Sequence, residues 1–438
     1  MARRRDSGRQ VYQTDLLVSI RKFLPARGLP LVSEDGRVRW TSRMLVVGAI
    51  LMTWALEPTL ADAFAAARTV LVTMYDSRRR PGKTLAGFLK ALGRVSDRLL
   101  AAVTSSLRAG VRRVAGRSWR FKAWVVLGVD GTRIECPRTA ANERAFGCAG
   151  KAGTGPQLWL TTLFHVATGL PWAWRRGPGR DSERNHLKSM LKALPTGTLL
   201  LADAGYVGYA LLRGLRAAGH DFIVRVGRNV HLLTKLGYAV KEYDGIVYLW
   251  PQNRRKEPPL VLRLVRVRTE RGTVTLLTSV LKTGRLSDAQ VAAWYRRRWG
   301  IEVLYRSLKQ TMRRRKMLST RPRHAEMELD WALVGLWLLG LMAAEAQPKR
   351  SRGAWSVAKA LRVVRGAMRQ PGRPRPAGGL RRRLRGAVRD RYVRHGPKAT
   401  RRLPRKKNKP PPGNPKIRTA TDAEIRHAQA LRSRLVPN

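Results

Sequence analysis

Tyr295, Arg298, Glu302 and Lys309 lie in the run YRRRWGIEVLYRSLKQ, where one carboxylate is held among cations. At about 100° per helical residue, these four share a stripe roughly 60° wide, flanked by an apolar stripe of Ile301, Leu304, Leu308 and Met312. Arg297 falls inside the apolar stripe with no evident reason. Taken alone, the stripe reads as a solvated face whose ion pairs contribute about 0.2–0.5 kcal/mol each. Two further acids change its meaning. Asp130 follows the apolar run Ala123–Val129, and Asp203 follows Thr198–Ala202. Singly, Asp130-Gly131 reads as a hairpin turn and Asp203 as a helix cap. Together, two aspartates and a glutamate supply the shared hard oxygen ligands that two Mg²⁺ or Mn²⁺ ions about 4 Å apart require. Such a pair activates a water or hydroxyl for in-line attack on phosphorus. Arg and Lys on the glutamate's own stripe then pin phosphates beside it.

Rigid elements must carry those acids. From Ala123 the order reads strand, strand, strand, helix, strand, helix, strand, which predicts a mixed α/β sheet flanked by helices. A β-rich insertion interrupts it at about 228–280. One long helix then opens at Ser287, where Ser287 and Gln290 fit a capping box, and runs on through Glu302 and Lys309. Upstream, residues 1–118 show helical periodicity over Leu16–Leu24, Met44–Leu56, Leu60–Met74 and Leu85–Leu107. That region is either a DNA-reading element or a helical packing unit. A catalytic unit spans 119–347. Residues 348–438 hold one basic helix near Trp355–Met368 and a tail too rich in Arg, Lys, Pro and Gly to bury a core, expected to be largely disordered.

Charge narrows the partner. Among 438 residues, 88 are Lys or Arg and 28 Asp or Glu, a net charge of +60 that calls for a polyanion. Nucleic acid leads and an anionic membrane follows. The apolar runs from Met44 and Trp331 fall short of the ~20 residues of a spanning helix, so no membrane is expected. The start lacks the apolar core of a signal peptide. Cys136 and Cys148 fit no zinc or disulfide pattern, which suggests a reducing compartment.

Other candidates recede. Glu135 should turn away along the next strand. Asp181 and Glu183 suit a helix start. GCAGKAGTG fails the phosphate-loop pattern, and His165 reads as a core residue.

The spacing Tyr295-x2-Arg298-x3-Glu302-x6-Lys309 resembles the Y-(2)-R-(3)-E-(6)-K signature of the IS-four group of insertion-sequence transposases. VDGT at Val129–Thr132 and ADAGY at Ala202–Tyr206 resemble that group's first and second Asp motifs. The resemblance covers roughly Ala123 to Leu318. It implies an RNase H-like core with Asp130, Asp203 and Glu302 as a catalytic, metal-holding triad, and Tyr295, Arg298 and Lys309 as contacts to DNA near the cleaved end. It also implies double-stranded transposon ends and target DNA as partners, a homodimer on DNA, cut-and-paste chemistry with two Mg²⁺ or Mn²⁺, and a bacterial, cytoplasmic, nucleoid-associated setting. Some relatives flip a base onto a tryptophan of the insertion. Trp250 is the candidate here, against a plain core role. Two rivals stand beside this reading: a nuclease of the same fold without strand transfer, and a non-enzymatic basic nucleic-acid-binding protein.

Overall fold

A computed structural model describes residues 15–25, 27–32, 39–74, 80–149, 154–239, 244–269, 272–348, 355–369, 379–389 and 413–433. Helix α1 covers Asp15–Arg21, α2 Ser42–Ala55, α3 Leu60–Met74 and α4 Leu85–Ala115. Thr84 starts α4 by accepting the Gly87 N–H, and the helix then buries Phe88, Leu92, Val95, Leu99, Val103, Leu107 and Val111 at three- and four-residue steps. What they pack on comes much later in the chain. Helix α10, Pro322–Ala346, is buried on nearly every side. Gly335 lets α2 approach it: a Cβ there would stand 3.0 Å from Thr53, and the Trp54 indole donates to the Gly335 carbonyl at 3.0 Å. The leading helices therefore share one core with the sheet domain instead of holding one of their own. α10 is long and apolar enough to cross a membrane, but 94% of its apolar stretch is buried inside the protein.

The sheet begins with β1, Val125–Glu135, followed by α5 (Ala140–Phe146), β2 (Gln157–His165) and β3 (Leu170–Pro178). Next come α6 (Glu183–Ser189), β4 (Thr198–Ala202), α7 (Tyr209–Ala217) and β5 (Asp221–Arg225). The expected alternation holds, with α5 as an addition. Strands β3-β2-β1-β4-β5 lie side by side, β2 antiparallel to β1 and β3, and β4 and β5 parallel to β1. This is the mixed sheet with flanking helices that the sequence predicts. The insertion supplies β6 (His231–Thr234), β7 (Ile246–Leu249), β8 (Leu260–Thr269) and β9 (Gly272–Thr278), which extend the same sheet beyond β5.

Three expectations need correction. No hairpin occurs at Asp130-Gly131. β1 runs straight through, pairing Asp130 with Thr162 and Glu135 with Gln157. Gly131 serves close approach instead of a turn: a Cβ there would meet Trp159 at 2.8 Å and Glu183 at 3.0 Å. Glu135 still ends far along the strand, 3.8 Å from Arg315.

The single long helix is three pieces. Helix α8, Asp288–Arg297, starts at the expected capping box. The N–H groups of Arg298, Trp299, Ile301 and Glu302 then bond three residues back, not four. Helix α9, Gly300–Arg306, follows, and Ser307–Thr311 close as a π turn. Tertiary packing imposes the break. α8 buries Val291 and Trp294 in the smaller core, whereas α9 buries Ile301 and Leu304 in the larger one. Gly300 lies against Phe164, whose ring would be 3.1 Å from a Cβ there. The turn also accounts for Arg297: it leaves the apolar stripe, becomes exposed and lies 4.8 Å from the Trp294 ring.

Parts of the tail are ordered where its composition predicts disorder. Beyond α11 (Val357–Met368), α12 (Gly379–Arg385) buries Leu380 and Leu384. Strand β10, Lys416–Thr419, pairs in parallel with β6, and α13, Asp422–Ser433, follows it. Residues 390–412 of the tail lie outside the described residues.

Candidate active site

Register brings the two aspartates together. In the parallel pair β1–β4, Gly128 stands opposite Leu201. Two residues further along each chain come Asp130 and Asp203, on the same face of neighbouring strands just past the end of β4. A side chain at Gly128 would run into the Phe164 ring, so the strand beneath Asp130 is locked against β2. The cap expected at Asp203 is present, the turn expected at Asp130 is not, and both acids stay at the site. Asp130 Oδ1 accepts the Gly131 N–H at 2.9 Å, and Asp203 Oδ1 accepts the Ala204 N–H at 2.6 Å, capping a short 3₁₀ turn. Each bond fixes one carboxylate oxygen and leaves the other.

Glu302, half-buried on α9, feels both aspartates. Burial raises its pKa, Arg298 opposes the rise, and Asp130 and Asp203 reinforce it. Asp130 is also raised, first by burial and then by Asp203, against Arg298 and the Gly131 N–H. The three acids thus form one repelling group around a shared cation. That cation, Arg298, is 8% exposed. Burial works against its charge, but Tyr295, Asp203 and Asp130 outweigh burial and raise its pKa. Its guanidinium carbon lies 5.4 Å from the Tyr295 ring.

The break and the π turn do not scatter the signature residues. Lys309 Nζ donates to Thr132 Oγ1 at 2.7 Å, two residues beyond Asp130. Tyr305, between them, donates its hydroxyl to the Asp130 carbonyl at 2.6 Å and ties α9 to β1. Trp299, at the break, is 57% exposed.

Sequence reasoning missed Glu183. It opens α6, as expected, but its side chain reaches the aspartates. Its Cδ lies 3.1 Å from where a Gly131 Cβ would be, and its Oε2 lies 3.3 Å from the equivalent point at Gly205. Burial raises its pKa, and Asp130 and Asp203 add to the rise. Only the pairing of Gly131 with Gly205, two small residues beside two acids, could have hinted at a fourth carboxylate. Asp181 is set apart: it holds the buried His186 at 2.9 Å. His165 is a core residue, bonded to Thr168 and the Trp119 carbonyl. Trp250 is 3% exposed, with His427 stacked on it and the Arg255 guanidinium 4.2 Å from its ring.

The donor set suits hard divalent cations: carboxylate oxygens, mutually repelling, with too few fixed cations to balance them. Among the described residues, no three acid, His or Cys side chains already converge on a point that could hold a metal ion. The group is therefore assembled by charge and register but not closed to coordination geometry.

Residues 125–338 match the family of transposase DDE domains. The chain is 30% identical over 246 residues to transposase InsG for insertion sequence element IS4 of Escherichia coli (strain K12), covering 52% of this chain and 54% of that protein. The protein y4zB of Sinorhizobium fredii (strain NBRC 101917 / NGR234) is 29% identical over 160 residues, 34% of this chain and 44% of that one. The chain thus spans about half the length of the curated relatives it matches. A cryo-EM structure of a piggyBac transposase synaptic complex with hairpin DNA overlaps 90% of this chain and 85% of its own, at 11% identity and a TM-score of 0.39, too loose a likeness to support detail. The residues that match this family model include Asp130, Asp203 and Glu302.

Proposed function

We propose that this protein is a transposase that binds the double-stranded ends of its own element, cuts them, and joins the freed 3′ ends to target DNA by cut-and-paste. The observation that carries this reading is the adjacency of Asp130 and Asp203 at the end of β4, with Glu302 in the same charge group. We assign Asp130, Asp203 and Glu302 as catalytic residues that would hold two Mg²⁺ or Mn²⁺ ions. Bound there, the ions would supply Lewis acidity to the attacking and leaving oxygens. The protein's own part is positioning. Arg298 offsets repulsion among the acids and presents its buried charge where phosphate would come. Lys309 and Tyr295 flank it as further DNA contacts. Residues 119–347 act as the catalytic unit, and the basic leading helices add affinity for the duplex. Pairing two ends before joining calls for a homodimer, working at the bacterial nucleoid.

The test is a strand-transfer assay with Mg²⁺, DNA carrying the element's ends, and a second DNA as target. The expected result is covalently joined product, lost by roughly three orders of magnitude or more in Glu302→Gln with DNA binding retained. Hydrolysis without joined product would make the protein a nuclease. Binding without any cleavage in Mg²⁺ or Mn²⁺ would make it a binding protein.

A further inference from the structure

A cavity of about 660 Å³ opens between the loop that follows Asp203 and the inserted strands. Its near wall is Arg184, Gly208 and Tyr209; its far wall includes His231, Arg255 and β10 with Lys416 and Arg418. No Asp or Glu lines it. Arg184 anchors it to the site, since its Nε donates at 2.7 Å to the carbonyl of Gly205, two residues after Asp203.

The C-terminal segment builds the far wall. β10 lies at the sheet's edge with all four residues exposed. On α13, Glu424 pairs with Arg255 at 2.6 Å and with Arg418 at 2.7 Å. One carboxylate thus orients two guanidiniums and leaves the wall net positive. His427 stacks on Trp250 and bonds the Arg255 carbonyl at 2.8 Å, fixing the loop that carries that arginine.

We propose that this cavity, completed by Lys416–Ser433, holds the phosphodiester backbone of the DNA strand adjoining the cleaved bond. The proposal rests on the transposase reading. It adds that the C-terminal segment is a substrate-binding wall. The cavity has an apolar floor that includes Leu232, Leu249 and Ile417, and four cations with no carboxylate on its walls, which fits a chain of phosphates. Arg184 lines the cavity and bonds the Gly205 carbonyl, which ties the occupant to the loop that follows Asp203. Fixed guanidiniums suit a strand that must be held in register with the acids.

The test uses the full-length chain and a short labelled DNA duplex of arbitrary sequence, with anisotropy titrations over a range of salt. The variant Arg184→Ala/Lys416→Ala removes two exposed cations outside the catalytic group, and its circular dichroism should match that of the native chain. Each phosphate contact contributes about 0.9 to the slope of log K against log salt, so the slope should fall by roughly 2. Bound DNA should also slow hydrogen exchange at the amides of Lys416–Thr419 and His231–Thr234. An unchanged slope with unchanged exchange overturns the assignment of the groove. If the native chain binds no DNA, the transposase reading itself fails.

Discussion

Two halves of one sheet treat their acids in opposite ways. Among the described residues of β5 and the outer half, each buried or half-buried carboxylate meets a cation. Glu257 pairs with Arg213 and Arg254, Glu424 with Arg255 and Arg418, and Asp221 with Arg216. Behind the sheet, Asp330 is 2.8 Å from Arg176 and accepts the Trp174 indole N–H at 2.8 Å. At the end of β4, Asp130, Asp203 and Glu302 instead divide Arg298 among them, and Glu183 presses in as a fourth. Cations are not scarce in a chain with 88 of them. Repulsion left standing there is therefore a property of the site. Matched acids hold the fold together; under-matched acids are available to a ligand that brings positive charge.

Breaking a matched acid should damage stability and leave the site's chemistry in place. Asp330→Ala strips a buried partner from Arg176 and Trp174, and should cost about 3–5 kcal/mol in denaturant unfolding. Any variant molecules that remain folded should bind Mn²⁺ as tightly as the native protein. A loss below ~1 kcal/mol would mean that the pair is not needed.

An under-matched acid should behave the other way. Glu183→Gln relieves repulsion, so stability should hold or rise. Mn²⁺ affinity by calorimetry should fall about tenfold, the scale for groups that support metal ligands. Unchanged affinity would return Glu183 to a purely structural place at its helix start.

The smallest effect concerns pH. The Arg418 bond holds Glu424 at about 2, below its ordinary 4.5. A depressed acid stabilises the fold above its unfolded value, and that contribution disappears as pH falls through the folded one. Between pH 4.5 and about 2, α13 should loosen from the insertion, read as a change in Trp250 fluorescence. Glu424→Gln should abolish that step. Asp130 and Glu302, raised instead of lowered, should show no matching loss in this window.

The same contrast governs what could be read from sequence. Asp130 and Asp203 were legible because each follows an apolar run, and such runs become strands whose register lines up their ends. Glu302 and Lys309 were legible through spacing. The helix that carries them was misjudged because its break has no proline and answers to Phe164, a residue on another strand. β10 was missed for a similar reason: KIRT is short and polar, and its partner β6 is remote in the chain. Glu183 left no local mark, since nothing about its own helix says that Gly131 and Gly205 will flank it.

The central claim is that Asp130, Asp203 and Glu302 close on divalent ions. Anomalous scattering from crystals grown with Mn²⁺ tests it most directly. Two peaks about 4 Å apart, with all three carboxylates among their ligands, are the predicted result. Manganese bound elsewhere, or any one of the three acids left outside its coordination, would contradict it.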